Sequence, residues 1–141
     1  MALVLNEEQR LLQDTARDFF ASHAPVAALR QLRDTHDPVG YDPRLWQQMA
    51  EMGWASIILP ETYGGLDFGF LGLGVVLEES GRTLTASPLF ASAVVGASAV
   101  MLGGSEALKH SLLPDIAGGN MTLALALEET HHHNPTYIST T

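Results

Sequence analysis

Cysteine is absent from this sequence, which excludes disulfides, thiolate zinc sites and cysteine nucleophiles and fits a reducing compartment. Basic residues are few. Seven lysines and arginines against sixteen aspartates and glutamates leave a formal charge of −9. Such a surface repels phosphate backbones and anionic lipid, so nucleic acid is not an expected partner. A secretion signal is missing as well, because "MALVLNEEQRLL" has no basic n-region, no long apolar run and no small-residue cleavage site. The expected compartment is the cytoplasm.

Charge is also missing from one long stretch, Thr83 to Ser105, which is long enough to cross a bilayer. Pro88 and the Gly103-Gly104 pair trim its helix to about fifteen residues, and alanine, serine and glycine make it only weakly apolar. It reads as a helix buried in protein, and no membrane span is expected. What the chain does have is core material: 46% hydrophobic and 16% charged residues in a length of 141, the size of one ordinary domain.

Helical periodicity dominates. Asn6 with Gln9 forms a capping box before Leu12, Ala16, Phe19, Phe20 and His23, giving a first helix from about Glu7 to Ser22. Pro25 suits the first turn of a second helix carrying Val26, Leu29 and Leu32. Asp42 and Pro43 open a third, closed by Gly53 in the left-handed conformation. "WASIILPETYGG" reads as a buried, extended connector. A fourth helix covers Phe70 to Ser80 with Leu73, Val76 and Leu77 inward and Gly81 as its stop. The fifth runs from Pro88 to Leu102. Ser105 caps a sixth, interrupted near Pro114 and finished by Gly118-Gly119. After Asn120 the period falls to two: Met121, Leu123, Leu125 and Leu127 alternate with Thr122, Ala124, Ala126 and Glu128, the pattern of a strand.

The order of these features resembles the acyl-CoA dehydrogenase family. "LNEEQRLLQDTARDFF" is similar to its opening helix, and "LWQQMAEMGWASIILPETYGG" to its N-terminal signature ending in Pro-Glu-x-Tyr-Gly-Gly. "LEESGR" matches the end of its fourth helix, and "GSEALKHSLLPDIAGGNMTLALALEE" the passage from its last N-terminal helix into its middle domain. The resemblance implies a helical domain, a middle β-barrel and a C-terminal helical bundle, with FAD between them. The expected fold here is all-α, a six-helix bundle over residues 1–119, followed over residues 120–141 by the truncated start of the middle β-barrel domain.

The same resemblance implies where a cofactor and substrate would lie. Aligned on the strand, Leu127 takes a position that contacts flavin through its backbone. Glu128 stands where the family has a flavin-binding threonine, and Asn134 stands near its serine. The acidic side chain and the missing glycines of "EETHHHNP" depart from the family motif, and a carboxylate beside reduced flavin would be repelled unless protonated or turned away. Phe90 and Val94 on the fifth helix would touch the acyl chain, with Ala91, Ala93 and Gly96 leaving room for it; ordinary close helix packing would use the same residues. No catalytic base is expected within this chain, because the resemblance places it in the C-terminal bundle.

Three further groups read as structural. His131, His132 and His133 are consecutive, so in an extended segment at most two face one ion, and a polar loop is the expectation over a metal site. Tyr63, Gly64 and Gly65 suit a turn with a buried ring whose hydroxyl finds a partner. Glu78 and Glu79 beside Arg82 read as a solvated helix end. The expected function is that of a fragment of a flavin-dependent acyl-CoA dehydrogenase, inactive alone. Its expected partners are an acyl-CoA, sister subunits in a homo- or hetero-oligomer, and an electron-transferring flavoprotein. A non-catalytic partner subunit and a stand-alone helical interaction module are the alternatives.

Overall fold

The computed structural model describes residues 4–126. These form a helical bundle of six α-helices, with no strand among the described residues. Helix α1 (Glu7–His23) starts at the expected capping box. Asn6 Oδ1 accepts from the Gln9 amide at 2.8 Å, and Gln9 Oε1 accepts from the Asn6 amide at 3.0 Å. Ala16 and Phe20 are its buried residues. Helix α2 (Val26–Asp34) buries none, so it lies on the surface, and Pro25 caps it from outside its first turn. Helix α3 (Pro43–Glu51) begins where Asp42 accepts from the Arg44 amide, and it buries Leu45, Trp46, Met49 and Ala50.

The connector after α3 is buried as expected but is not extended. Gly53 at φ 78° turns the chain into a 3₁₀ turn at Trp54–Ser56, and a second follows at Glu61–Tyr63. Beyond Gly64 the chain doubles back. Leu66, Asp67 and Phe68 donate their amides to Ser56, Leu59 and Ile57. Gly65 makes the return possible, since a Cβ there would stand 1.9 Å from the Leu59 carbonyl oxygen. The hairpin-like closure satisfies main-chain groups that an extended buried segment would leave unpaired.

Helix α4 (Gly69–Arg82) begins one residue before the expected start and ends two residues after the expected stop, passing through Gly81, and packs chiefly along α1. The fifth helix is continuous from Leu89 to Gly103, but its first part, Phe90–Gly96, is a π-helix that passes into α5 (Ala97–Gly103). Helix α6 (Glu106–Ala117) starts at Ser105, whose hydroxyl accepts from the Leu108 amide. It continues through Pro114 without the expected interruption.

Two apolar clusters hold this arrangement together. One joins Phe20, Trp46, Met49, Trp54, Ile57, Leu73 and Val76 with Leu89 and Ala93; the other joins Leu59, Tyr63 and Ala97 with Leu113, Ile116 and Ala117. Leu89, Ala93 and Ala97, spaced by four, tie the long fifth helix into both. Residues 121–126, expected to open a strand, belong to no ladder, because a lone strand has no partner to pair with among these residues. Among the described residues no helix is long and apolar enough to cross a membrane.

Candidate functional site

The bundle's exit is pinned at successive points. Trp46 Nε1 donates to the Gly119 carbonyl at 2.9 Å. The amides of Asn120 and Met121 both donate to the Asp115 carbonyl. Further on, the Ser92 hydroxyl accepts from the Leu123 amide at 2.9 Å and makes a longer, 3.4 Å bond to the Leu123 carbonyl. Ser92 is fully buried. One turn along, Gly96 faces the same residue so closely that a Cβ would stand 2.5 Å from Leu123 Cβ. Both belong to the π-helix, whose widened ladder is seen where the Ala97 amide donates to the Ser92 carbonyl.

Leu127, Glu128 and Asn134, the expected flavin contacts, lie outside the described residues, as do His131, His132 and His133. They follow in sequence from a backbone held at residues 119, 121 and 123, with Leu125 largely exposed just before them. Among the described residues no group of three metal-ligating side chains gathers.

Phe90 is 59% exposed, whereas Val94 is half-buried and packs against the larger apolar cluster. Four residues on from Val94, Ser98 lines a groove of about 240 Å³ together with Met101 and Leu102 of the same helix and Ile58 and Phe70 across from it. Phe90, Val94, Ser98 and Leu102 recur at intervals of four, although neither Phe90 nor Val94 lines this groove. Of the small residues, Ala93 is wholly buried in the core, and the space beside Gly96 is taken by Leu123. A larger groove of about 520 Å³ opens between α1 and the connector, lined by Leu11, Leu12, Met52, Trp54, Ile57 and Leu66 among others. It includes neither Phe90 nor Val94.

Two charged clusters serve the fold. Glu79, expected in solvent, is 1% exposed. Its carboxylate accepts from Arg17 Nη2 at 3.0 Å and Arg17 Nε at 3.3 Å, and pairs with Arg82 Nε at 3.1 Å. Its hydrogen bond and charge push the Arg17 guanidinium's pKa further up. Tyr63 behaves as expected, with a buried ring and its Oη donating to Glu106 Oε2 at 2.8 Å, while Lys109 Nζ donates to Glu106 Oε1 at 2.9 Å. Lys109 and then Tyr63 hold the Glu106 carboxyl below the usual carboxylate range, and the Glu106 bond raises the Tyr63 phenol.

The chemistry of the available groups suits one part of FAD and not another. Around the exit the chain offers apolar side chains and main chain, which suit a flat ring system. No lysine or arginine occurs between Arg82 and Lys109 or after Lys109, so neither the fifth helix nor the exit segment brings a cation to a pyrophosphate. A pyrophosphate beside them would draw its neutralisation from backbone amides or from groups elsewhere.

The model of the family described as "Acyl-CoA dehydrogenase, N-terminal domain" matches residues 6–120. The chain is 32% identical over 107 residues to the acyl-CoA dehydrogenase IpdE2 of Mycolicibacterium smegmatis, covering 75% of this chain and 34% of that one. Among solved structures it is similar to a variant of the Tcur3481-Tcur3483 steroid ACAD, with a TM-score of 0.77 and 36% identity over 87% of this chain and 33% of the other. The ChsE4-ChsE5 complex from Mycobacterium tuberculosis superposes with a TM-score of 0.82 at 26% identity, covering 95% and 36%. The chain thus spans about a third of the length of these relatives.

Proposed function

The chain belongs to the acyl-CoA dehydrogenase family through its N-terminal helical domain, and on that premise we propose that it forms one wall of a flavin-dependent enzyme that desaturates an acyl-CoA thioester between its α and β carbons. Phe90 and Val94 meet the acyl chain. The backbone of Leu127, with Glu128 and Asn134 close by, meets the flavin. Bound FAD supplies the hydride acceptor; this chain's residues shape the apolar cleft, keep water from it and orient the segment that reaches the ring. The general base comes from outside these residues, so the chain alone has no turnover.

The observation that carries this reading is the double duty of the helix from Leu89 to Gly103. It bears the exposed Phe90 and the half-buried Val94, with Ser98 and Leu102 at the groove beyond them, and through Ser92 it holds Leu123 in the segment that precedes Leu127. The test is to purify the chain, record its flavin absorbance, and assay acyl-CoA oxidation with an artificial electron acceptor. No turnover is expected alone, and turnover is expected once the chain is joined to the remaining domains or to sister subunits. Turnover by the chain alone, or none in any such assembly, defeats the reading.

A second reading, a non-catalytic partner in a hetero-oligomeric dehydrogenase, is favoured by Glu128, an acidic side chain in place of a small hydroxyl. Two of the similar structures carry two-component descriptions, Tcur3481-Tcur3483 and ChsE4-ChsE5. Co-expression with a related subunit and a count of FAD per subunit separates the two readings.

A further inference from the structure

The Ser92 hydroxyl is an unusual group to bury completely in the middle of an apolar helix, and its placement has a consequence for the segment it holds. A hydroxyl can donate and accept at once. Here it addresses both main-chain groups of one residue, Leu123. In an antiparallel ladder a hydrogen-bonded residue exchanges its N–H and C=O with one residue of the neighbouring strand. Ser92 substitutes for that neighbour, so Leu123 is fixed as if it lay in a sheet although no strand flanks it among the described residues. Gly96 completes the seat, because only a residue without a Cβ lets Leu123 come this close.

The helix divides its residues by line. Leu89, Ala93 and Ala97 enter the core, Ser92 and Gly96 face Leu123, and Phe90, Val94 and Ser98 are the more exposed set. The π-helix Phe90–Gly96 therefore carries both the proposed acyl contacts and the grip on the exit segment at Leu123. Any shift of that stretch moves both together.

We propose that Ser92 is a positioning residue. Through Leu123 it sets the register and depth at which the exit segment leaves the bundle toward the flavin. The inference rests on the dehydrogenase reading above. It asks more of that reading, namely that a buried hydroxyl touching neither substrate nor cofactor governs cofactor geometry.

Three variants test it: S92A removes the hydroxyl, G96A keeps the hydroxyl but drives a methyl into Leu123, and V76A weakens the larger apolar cluster, whereas Leu123 packs against the smaller one. Hydrogen exchange on the chain should show the Leu123 amide exchanging about tenfold faster in S92A relative to the remaining core amides. V76A should accelerate core amides alike. In the flavin-bearing assembly that contains this chain, S92A and G96A should each weaken FAD binding about tenfold or shift its visible absorption. V76A should do neither. Unchanged exchange at Leu123 in S92A overturns the proposal. So does faster exchange with wild-type flavin affinity and spectrum in both S92A and G96A, and that outcome leaves the dehydrogenase reading standing. Absence of flavin from the wild type and all variants alike is a different result, which overturns the dehydrogenase reading and this inference with it.

Discussion

Arg17 on α1 reaches Glu79 on α4 through two hydrogen bonds, at 3.0 and 3.3 Å, and so joins the two helices that pack most closely along one another. The carboxylate is buried while the arginine is half-exposed. Burial of a carboxylate is tolerated because Arg17 and Arg82 satisfy it from both sides. Glu79→Ala should lower unfolding stability by about 2 kcal/mol, less than for a fully enclosed pair because both arginines can turn to water. Urea unfolding of wild type and variant measures this. A loss no larger than that of an exposed control such as Glu78→Ala would show the pair to be incidental.

Tyr63, Glu106 and Lys109 make stability depend on pH at the acid end. The folded-state pKa of Glu106 lies below its ordinary value of 4.5, first because of Lys109 and then because of Tyr63. A depressed carboxyl pKa stabilises the fold above the unfolded value, and that contribution disappears as pH falls through the folded one. The raised Tyr63 pKa acts in the opposite sense, with a contribution present below the ordinary tyrosine value of 10.0 and lost as pH rises through the folded one. Glu106→Gln should therefore have a flatter thermal midpoint than wild type as pH is lowered through the carboxylate range. Parallel curves for the two proteins would remove Glu106 from the account.

Gly65 and Gly40 separate close approach from backbone conformation. A methyl at Gly65 meets the Leu59 carbonyl oxygen at 1.9 Å, a main-chain atom that cannot yield without opening the doubled-back connector. At Gly40 nothing lies within 4 Å, and only the positive φ of 76° opposes a side chain. Gly65→Ala should cost about 3 kcal/mol or more, or prevent folding, while Gly40→Ala should cost about 1 kcal/mol. Thermal melts of both decide it, and equal losses would mean that the connector relaxes freely.

What could be seen in the sequence is local. The capping box at Asn6 and Gln9, the Asp42-Pro43 start, the Ser105 cap and the left-handed Gly53 all follow from chemistry within four residues of one another. Nothing local marks Glu79 for burial, because Arg17, which with Arg82 makes that burial tolerable, lies on another helix. The connector's apolar content was plain, but its 3₁₀ turns depend on amides returning from Leu66 to Phe68. The π-helix has no distinct mark in the sequence, because residues spaced by four, such as Leu89, Ala93 and Ala97, suit an α-helix as well. Pro114 gave no break, since its missing amide is a local loss while Leu113, Ile116 and Ala117 around it are held in the core.

Phe90 and Val94 offer the most direct test of the acyl side, because their burial differs. Val94 packs against the core, so Val94→Ala should lose about 1 kcal/mol of stability along with any effect on substrate. Phe90 is 59% exposed, so Phe90→Ala should leave the unfolding midpoint within about 0.5 kcal/mol of wild type. If its ring meets the acyl chain, losing that contact should raise KM for an acyl-CoA roughly tenfold in the assembled enzyme, with kcat changed less. Such a KM effect without a stability effect cannot arise from general weakening of the bundle. A Phe90→Ala enzyme with wild-type KM across short and long acyl chains would place the substrate elsewhere, and the larger groove between α1 and the connector would then be the surface to probe.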